Sequence, residues 1–409
     1  MEPAWGVRCI RCMHARRNIL AALSLLALAA PGVAAAGPSA NDALVFRGAT
    51  GKVHVFDAVT GPLRTLPAGA LSADGESVLS AQVRGRHTLV RRIATRSGQV
   101  LAHRLIPGAW GLQKAAEDGT LVAGGEQLAP VALVAADRAN GYHGNASTTR
   151  IALLAHNLQG TLRLVTLQGN YGVDALSPDG TRLYVIQHLA GEHYTVRGYD
   201  LTTKTLSSPI IDKRNPGEQM QGLPLARASS ADGDWELTLY RRPSGLPFVH
   251  ALMTTQLAAF CIDLPRSARF DPANPSSWGV ATRGSELYLA NAQTGWIGVI
   301  DYSRFKLLRS TSLGAQAAIS STRPLAIGGD GTTLYLARPD GVVPVDSSTL
   351  EARQALSHRA FGSLALATDG SLLYASGGGS TMTLDTKTGA AGATLPTSAG
   401  LTLVGVARA

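Results

Sequence analysis

Cysteine is scarce in this chain of 409 residues: Cys9, Cys12 and Cys261 are the whole supply. Charged side chains make up 16% of the residues and aromatic ones 5%, and no long run of like charge occurs. The first shortage excludes a disulfide framework, and the second excludes a charged disordered tail. Amphipathic helical periodicity is also missing, which removes helical solenoids and bundles. Several chemical signatures are absent as well. No H-x-x-x-H pairing marks a metal site, and no G-x-S-x-G elbow supports a serine nucleophile. Basic residues are not interleaved with aromatics in the way that reads bases, so nucleic acid is not an expected partner.

What is present begins with a leader. Arg16 and Arg17 precede ILAALSLLALAA, then Pro31-Gly32 and the small-residue run Val33 to Ala36. This order of charged, apolar and small segments predicts an export signal over 1–36, cleaved before Gly37, followed by a short linker at 37–41. Met13 is an alternative start, and the Arg-Arg pair leaves both the general and the twin-arginine export routes open. The alternative is a retained anchor, but about 18 apolar residues barely span a bilayer, and Pro31-Gly32 breaks the helix. Cleavage removes Arg8, Arg11, Arg16, Arg17 and Glu2 and so lowers the net charge from +9 to +6. It also leaves Cys261 alone. A secreted, periplasmic or envelope location follows, with no stable membrane insertion after cleavage.

Residues 42–409 repeat one phrase. LSPDGTRLYV at 176–185 returns as IGGDGTTLYLA, LATDGSLLYAS and LSADGESVLSA. The pairs at Asp74, Asp118, Asp179, Asp232, Arg283, Asp330 and Asp369, each followed by Gly, are spaced 44, 61, 53, 51, 47 and 39 residues apart. Such a period with strand-like content predicts a propeller. Asp accepts hydrogen bonds from the turn backbone and Gly takes positive φ, so each pair closes a hairpin between first and second strands. A second landmark, a strand ending in Asp, recurs at Asp57, Asp200, Asp263, Asp301, Asp346 and Asp385. It predicts the turn between third and fourth strands. Tyr184, Tyr288, Tyr335 and Tyr374 fall at one register position and are expected in the core.

The expected fold is therefore an all-β propeller of four-stranded antiparallel blades, a single domain over 42–409. Eight blades are counted, with seven as the alternative if one irregular unit near 111–170 is misparsed. The domain begins with three strands that lack a first one, and GLTLVGVARA at the C-terminus resembles the missing strand. A blade shared between the termini is expected to close the ring and remove an open edge.

These repeats resemble the bacterial secreted propellers of the YVTN, lactonase-like and TolB-like group, across nearly all of 42–409. The resemblance implies a fold and an exported setting but no activity. Quinoprotein dehydrogenase repeats are matched at the front by Asp57 to Gly61 and Asp385 to Gly389, yet their following Trp is missing. No cofactor is expected.

The function expected is non-catalytic binding of a protein, glycan or envelope partner by a monomer, through the face that carries the long loops. A lactonase-like hydrolase with a channel site is the alternative. Those loops hold Glu126, Tyr142, His143, His188, Glu192, His193, Glu218, Arg241, Arg242 and His250 as candidate ligand-binding residues; no metal set is assigned among them. Trp110, Tyr171, Trp278 and Phe361 stand near the starts of first strands, three of them eight residues before the hairpin Asp and each followed by Gly. They are expected at the channel mouth, either packed between blades or forming a stacking rim for a flat ligand. Arg84, Arg86, Arg91, Arg92, Arg96 and Arg104 gather in one blade as a solvated face.

Overall fold

The computed structural model describes residues 42–72, 74–112, 130–135, 147–155, 157–210, 220–270, 277–316 and 323–408. They form an all-β propeller built of four-stranded antiparallel blades. Numbered along the chain, sheet 1 holds residues 42–68 with Thr402–Arg408, and sheet 2 spans 70–107. Sheet 3 spans 110–168, sheet 4 spans 171–221, sheet 5 spans 223–263 and sheet 6 spans 278–312. Sheets 7 and 8 cover 325–346 and 363–396.

Among the described residues seven of these sheets have at least four strands, and sheet 7 has three. The count of eight blades is corrected to the alternative of seven, and the irregular unit is sheet 7 rather than the segment near 111–170, whose described strands form the four-stranded sheet 3. After Gly341–Asp346 the chain turns through Leu350 in the left-handed region, at φ 61°. It then runs beside sheet 7 with two isolated bridges, Val345↔Ala352 and Val342↔Ser357, in place of a continuous ladder. Its sequence, EARQALS, lacks the β-branched alternation that a fourth strand needs.

The turn chemistry explains the repeat. Asp179 takes the Ser177 hydroxyl at 2.5 Å and the Thr181 amide at 3.0 Å, while Ser177 in turn receives the Arg182 amide at 2.9 Å. The same bonds recur at Ser72 with Asp74 and at Ser230 with Asp232. Gly180 sits at φ 65°, where a side chain would be strained. The second landmark also forms as expected. One oxygen of Asp385 receives the amides of Lys387 and Thr388 at 2.9 and 2.7 Å, and Asp57, Asp200, Asp301 and Asp346 repeat this. Asp263 does not: it ends the fourth strand of sheet 5 and pairs with Arg242 at 2.7 Å. Asp118 lies outside the described residues.

Neighbouring sheets are held by their inner faces. Tyr184, Tyr288, Tyr335 and Tyr374 are all buried. The hydroxyls of Tyr184 and Tyr335 donate to backbone carbonyls in the third-to-fourth-strand turn of the next sheet, at Gln256 and Thr386. This gives each buried ring the polar partner it requires. The C-terminal strand Thr402–Arg408 pairs antiparallel with Asp42–Arg47, register Leu44↔Val406, and both pack against sheet 8 through Phe46, Leu403 and Leu372. No helix among the described residues is long and apolar enough to cross a membrane.

Candidate functional site

The first strands begin, and the second strands end, on one face of the molecule. There the hairpin between Arg182–His188 and His193–Asp200 in sheet 4 turns through Leu189 to Glu192. Gly191 at φ 67° makes the reversal without strain, but Glu192 follows at φ 64°, which a side chain adopts at a cost of about 1–2 kcal/mol. The neighbouring segment pins this conformation. The short strand Met220–Gln221 pairs with His193 and Tyr194, the Gln221 side chain donates through Nε2 to the Gly191 carbonyl at 3.0 Å, and the Gly222 backbone amide donates to the Glu192 carbonyl at 3.1 Å.

A cavity of about 580 Å³ opens at this hairpin, between sheets 4 and 5 and the edge of sheet 3. His188, Glu192 and His193 line it with Gln187, Tyr194 and Tyr240. The Tyr194 and Tyr240 rings stack at 4.9 Å and 13°, and Tyr240 stacks on Phe248 at 5.4 Å. Burial pushes the Tyr194 hydroxyl well above its ordinary pKa, with Tyr240, Cys261 and Asp174 adding to it. It stays neutral, a donor and acceptor at any physiological pH. Arg241 stands at the cavity edge with its guanidinium 3.9 Å from one oxygen of Glu192. The other oxygen of Glu192 and Nδ1 of His193 are buried atoms with no hydrogen-bond partner among the described residues.

Beneath the two tyrosines lies a row of polar side chains on the inner face of sheet 5. Arg227, Thr238, His250 and Cys261 stand opposite one another on four successive strands. Arg227 pairs with Asp174 of sheet 4 at 2.6 Å and with Glu236 at 3.0 Å, all three side chains being almost fully buried. Asp174 reaches this place because a bulge between Val173 and Ala175 interrupts its strand.

The structure thus brings together four of the candidate residues, His188, Glu192, His193 and Arg241. It separates two others from them. His250 is on the strand Pro247–Met253, 1% exposed, and meets Tyr194 and Tyr240 edge-on at 6.3 and 6.2 Å from below. The placing of His250 in a long loop is corrected, since the strand Pro247–Met253 carries it. Arg242 turns away over the Phe248 ring toward Asp263. Glu126, Tyr142, His143 and Glu218 lie outside the described residues. Among the described residues no three His, Cys, Asp or Glu side chains converge as a metal site.

Trp110, Tyr171, Trp278 and Phe361 are at most 5% exposed and belong to four separate clusters between sheets. The stacking-rim reading is corrected: no ring face is open, and packing between blades accounts for them. Their register has a hydrogen-bonding cause in two cases. Thr88 donates to the Gly108 carbonyl and accepts the Trp110 amide, both at 2.8 Å, and Thr149 treats Gly169 and Tyr171 in the same way. Of the arginine group, Arg96 pairs with Asp57 at 2.9 Å and Arg104 donates to the Gly160 carbonyl at 2.7 Å, so these two tie neighbouring sheets.

No family model and no curated protein matches the chain. Solved structures share its fold. The dihydro-heme d1 dehydrogenase NirN, in complex with DHE, is 15% identical with a TM-score of 0.53, over 89% of this chain and 75% of that one. Apo AztD from Citrobacter koseri is 13% identical with a TM-score of 0.56, over 90% of this chain and 98% of that one. At these identities the likeness concerns the propeller fold alone.

Proposed function

We propose that the chain is an exported, non-catalytic propeller that binds a partner of the cell envelope or its surroundings at the cavity walled by the 188–193 hairpin. The observation that carries this reading is the coincidence of a cavity of ligand size with backbone strain at Glu192 on its wall. Cavities of roughly 300–1,000 Å³ with a few convergent polar groups are the usual form of small-ligand sites, and strain of this kind persists where surrounding contacts enforce it. The leader over 1–36 supports export, and the pairing of the two terminal strands supports a ring closed by a shared blade in a monomer.

The test uses the mature protein, residues 37–409. Thermal-shift screening against metals, sugars, lactones and polyanions is expected to yield a stabilising ligand, because binding to the folded state raises its melting point. Ala190→Trp, which fills the cavity from an exposed position, is expected to abolish that shift. Hydrolysis of any lactone in the panel, or stabilisation that survives Ala190→Trp, overturns the reading.

A further inference from the structure

The cavity offers two polar atoms that the described residues leave unanswered, and their chemistry narrows the ligand. Glu192 presents a carboxylate oxygen with no donor, and His193, next to it, presents Nδ1 with no partner. Leaving such atoms buried and unpaired costs about 1–3 kcal/mol each. The left-handed backbone at Glu192, locked by Gln221 and Gly222, sets this residue on the cavity wall, its side chain about a third exposed.

Three kinds of donor could satisfy Glu192. A cation is not needed, since Arg241 already stands 3.9 Å from the other oxygen and offsets the charge. An ammonium also only donates, and so fails His193 whenever its Nδ1 carries a proton. A carboxylate or phosphate ligand would be repelled by Glu192. A hydroxyl both donates and accepts, and so serves the carboxylate and either tautomer of the imidazole. The remaining wall is apolar at Ile186, Leu223 and Pro224, which suits the apolar face of a ring, while the stacked and almost fully buried Tyr194 and Tyr240 close it from behind.

We infer that the cavity binds a neutral pyranose unit, whose neighbouring hydroxyls bridge Glu192 and His193 while its ring lies against Leu223 and Pro224. This rests on the reading of the cavity as the binding site. The unit is either a free saccharide or part of an envelope glycan.

Calorimetric titrations with cellobiose, maltose and diacetylchitobiose test the free form, and co-sedimentation with peptidoglycan sacculi tests the bound form. Benzylamine serves as the cationic probe. Binding of at least one sugar or of sacculi is expected, weakened at least tenfold by Glu192→Gln and by His193→Ala and lost in Ala190→Trp. Glu192→Gln keeps the shape of the side chain and replaces one acceptor oxygen by a donor, so its folding is expected to be unaffected. Binding by free sugars identifies a soluble ligand, and binding by sacculi alone identifies a glycan of the envelope. If benzylamine binds and the sugars and sacculi do not, the pyranose inference is overturned while the cavity reading stands. If no probe binds or slows hydrogen exchange at 188–194, the inference is overturned, and a thermal-shift screen that is also blank removes the cavity reading with it.

Discussion

Asp42 and Tyr374 are 332 residues apart in the chain and joined by a hydrogen bond of 2.8 Å from the tyrosine hydroxyl to the carboxylate. The other carboxylate oxygen receives the Thr368 hydroxyl at 2.7 Å, and the Asp42 residue is wholly buried. A buried charge of this kind is tolerable only while its donors remain. Tyr374→Phe removes one charge-assisted bond and leaves the carboxylate short of a donor. A loss of about 1.5–3 kcal/mol in urea-induced unfolding is expected, and a loss below 0.5 kcal/mol would show that this tie between the strand Asp42–Arg47 and sheet 8 carries little of the stability.

The Arg227 pairings make a stronger demand. One guanidinium answers two carboxylates, Asp174 and Glu236, with the three side chains 6%, 1% and 4% exposed. Arg227→Met strands both acids in the interior, so a loss of about 3–5 kcal/mol is expected. The triple change to Met, Asn and Gln at 227, 174 and 236 removes the charges together and is expected to recover a large part of that loss. The unfolding free energies of the two variants decide it: equal losses would mean that shape, not charge, is what sheets 4 and 5 require.

Most of the fold was legible because turns write themselves in few residues. Asp179-Gly180 and its copies state a hairpin through a side-chain oxygen and a positive φ, and Asp385 states an Asx turn. The Asp263 landmark misled because the same letters ended a fourth strand, where the carboxylate meets Arg242 instead of its own backbone. The site was less legible. His188, Glu192 and His193 were marked by their loop, but Tyr194 and Tyr240 looked like any strand aromatic until sheets 4 and 5 were seen to stack them. A signal for the buried triad did exist: Asp174 interrupts the otherwise apolar strand YGVDAL, and an acid in such a place requires a partner. Its partner, Arg227, which it shares with Glu236, comes from the next sheet, which no local pattern names.

Acid should loosen the molecule through the turns. The Ser348 hydroxyl and the Thr349 and Ser348 amides hold Asp346 well below the usual carboxylate range, and the Ser371 amide and hydroxyl lower Asp369. Groups depressed in the folded state contribute stability that is present above their unfolded pKa, near 4, and lost as pH falls through the folded values. Melting temperature is therefore expected to hold between pH 5 and 7 and to fall below about pH 4. Asn291 already makes the same turn without a charge, receiving the Gln293 and Thr294 amides at 3.0 and 2.9 Å. Asp346→Asn and Asp385→Asn are accordingly expected to fold normally at pH 7 and to flatten the acid limb. At the alkaline end Tyr288, pushed up to about 12 by burial and by Glu286, favours its neutral form in the folded state. Its contribution is lost as pH rises from about 10 toward that value.

The strain at Glu192 gives the last expectation. A glutamate at φ 64° is held there by the Gln221 and Gly222 contacts to the backbone, not by its own side chain. Asparagine tolerates the left-handed region far better. Glu192→Asn should therefore raise stability, by up to about 1 kcal/mol, even as it withdraws the carboxylate from the cavity wall. Residues whose replacement stabilises the fold while weakening binding are those retained for function. Chemical denaturation of Glu192→Asn beside the wild type checks the first half, and sugar titration of the same preparation checks the second. A variant that is less stable would mean that the Arg241 contact outweighs the backbone strain, and the argument that Glu192 is kept for a ligand would lose its energetic basis.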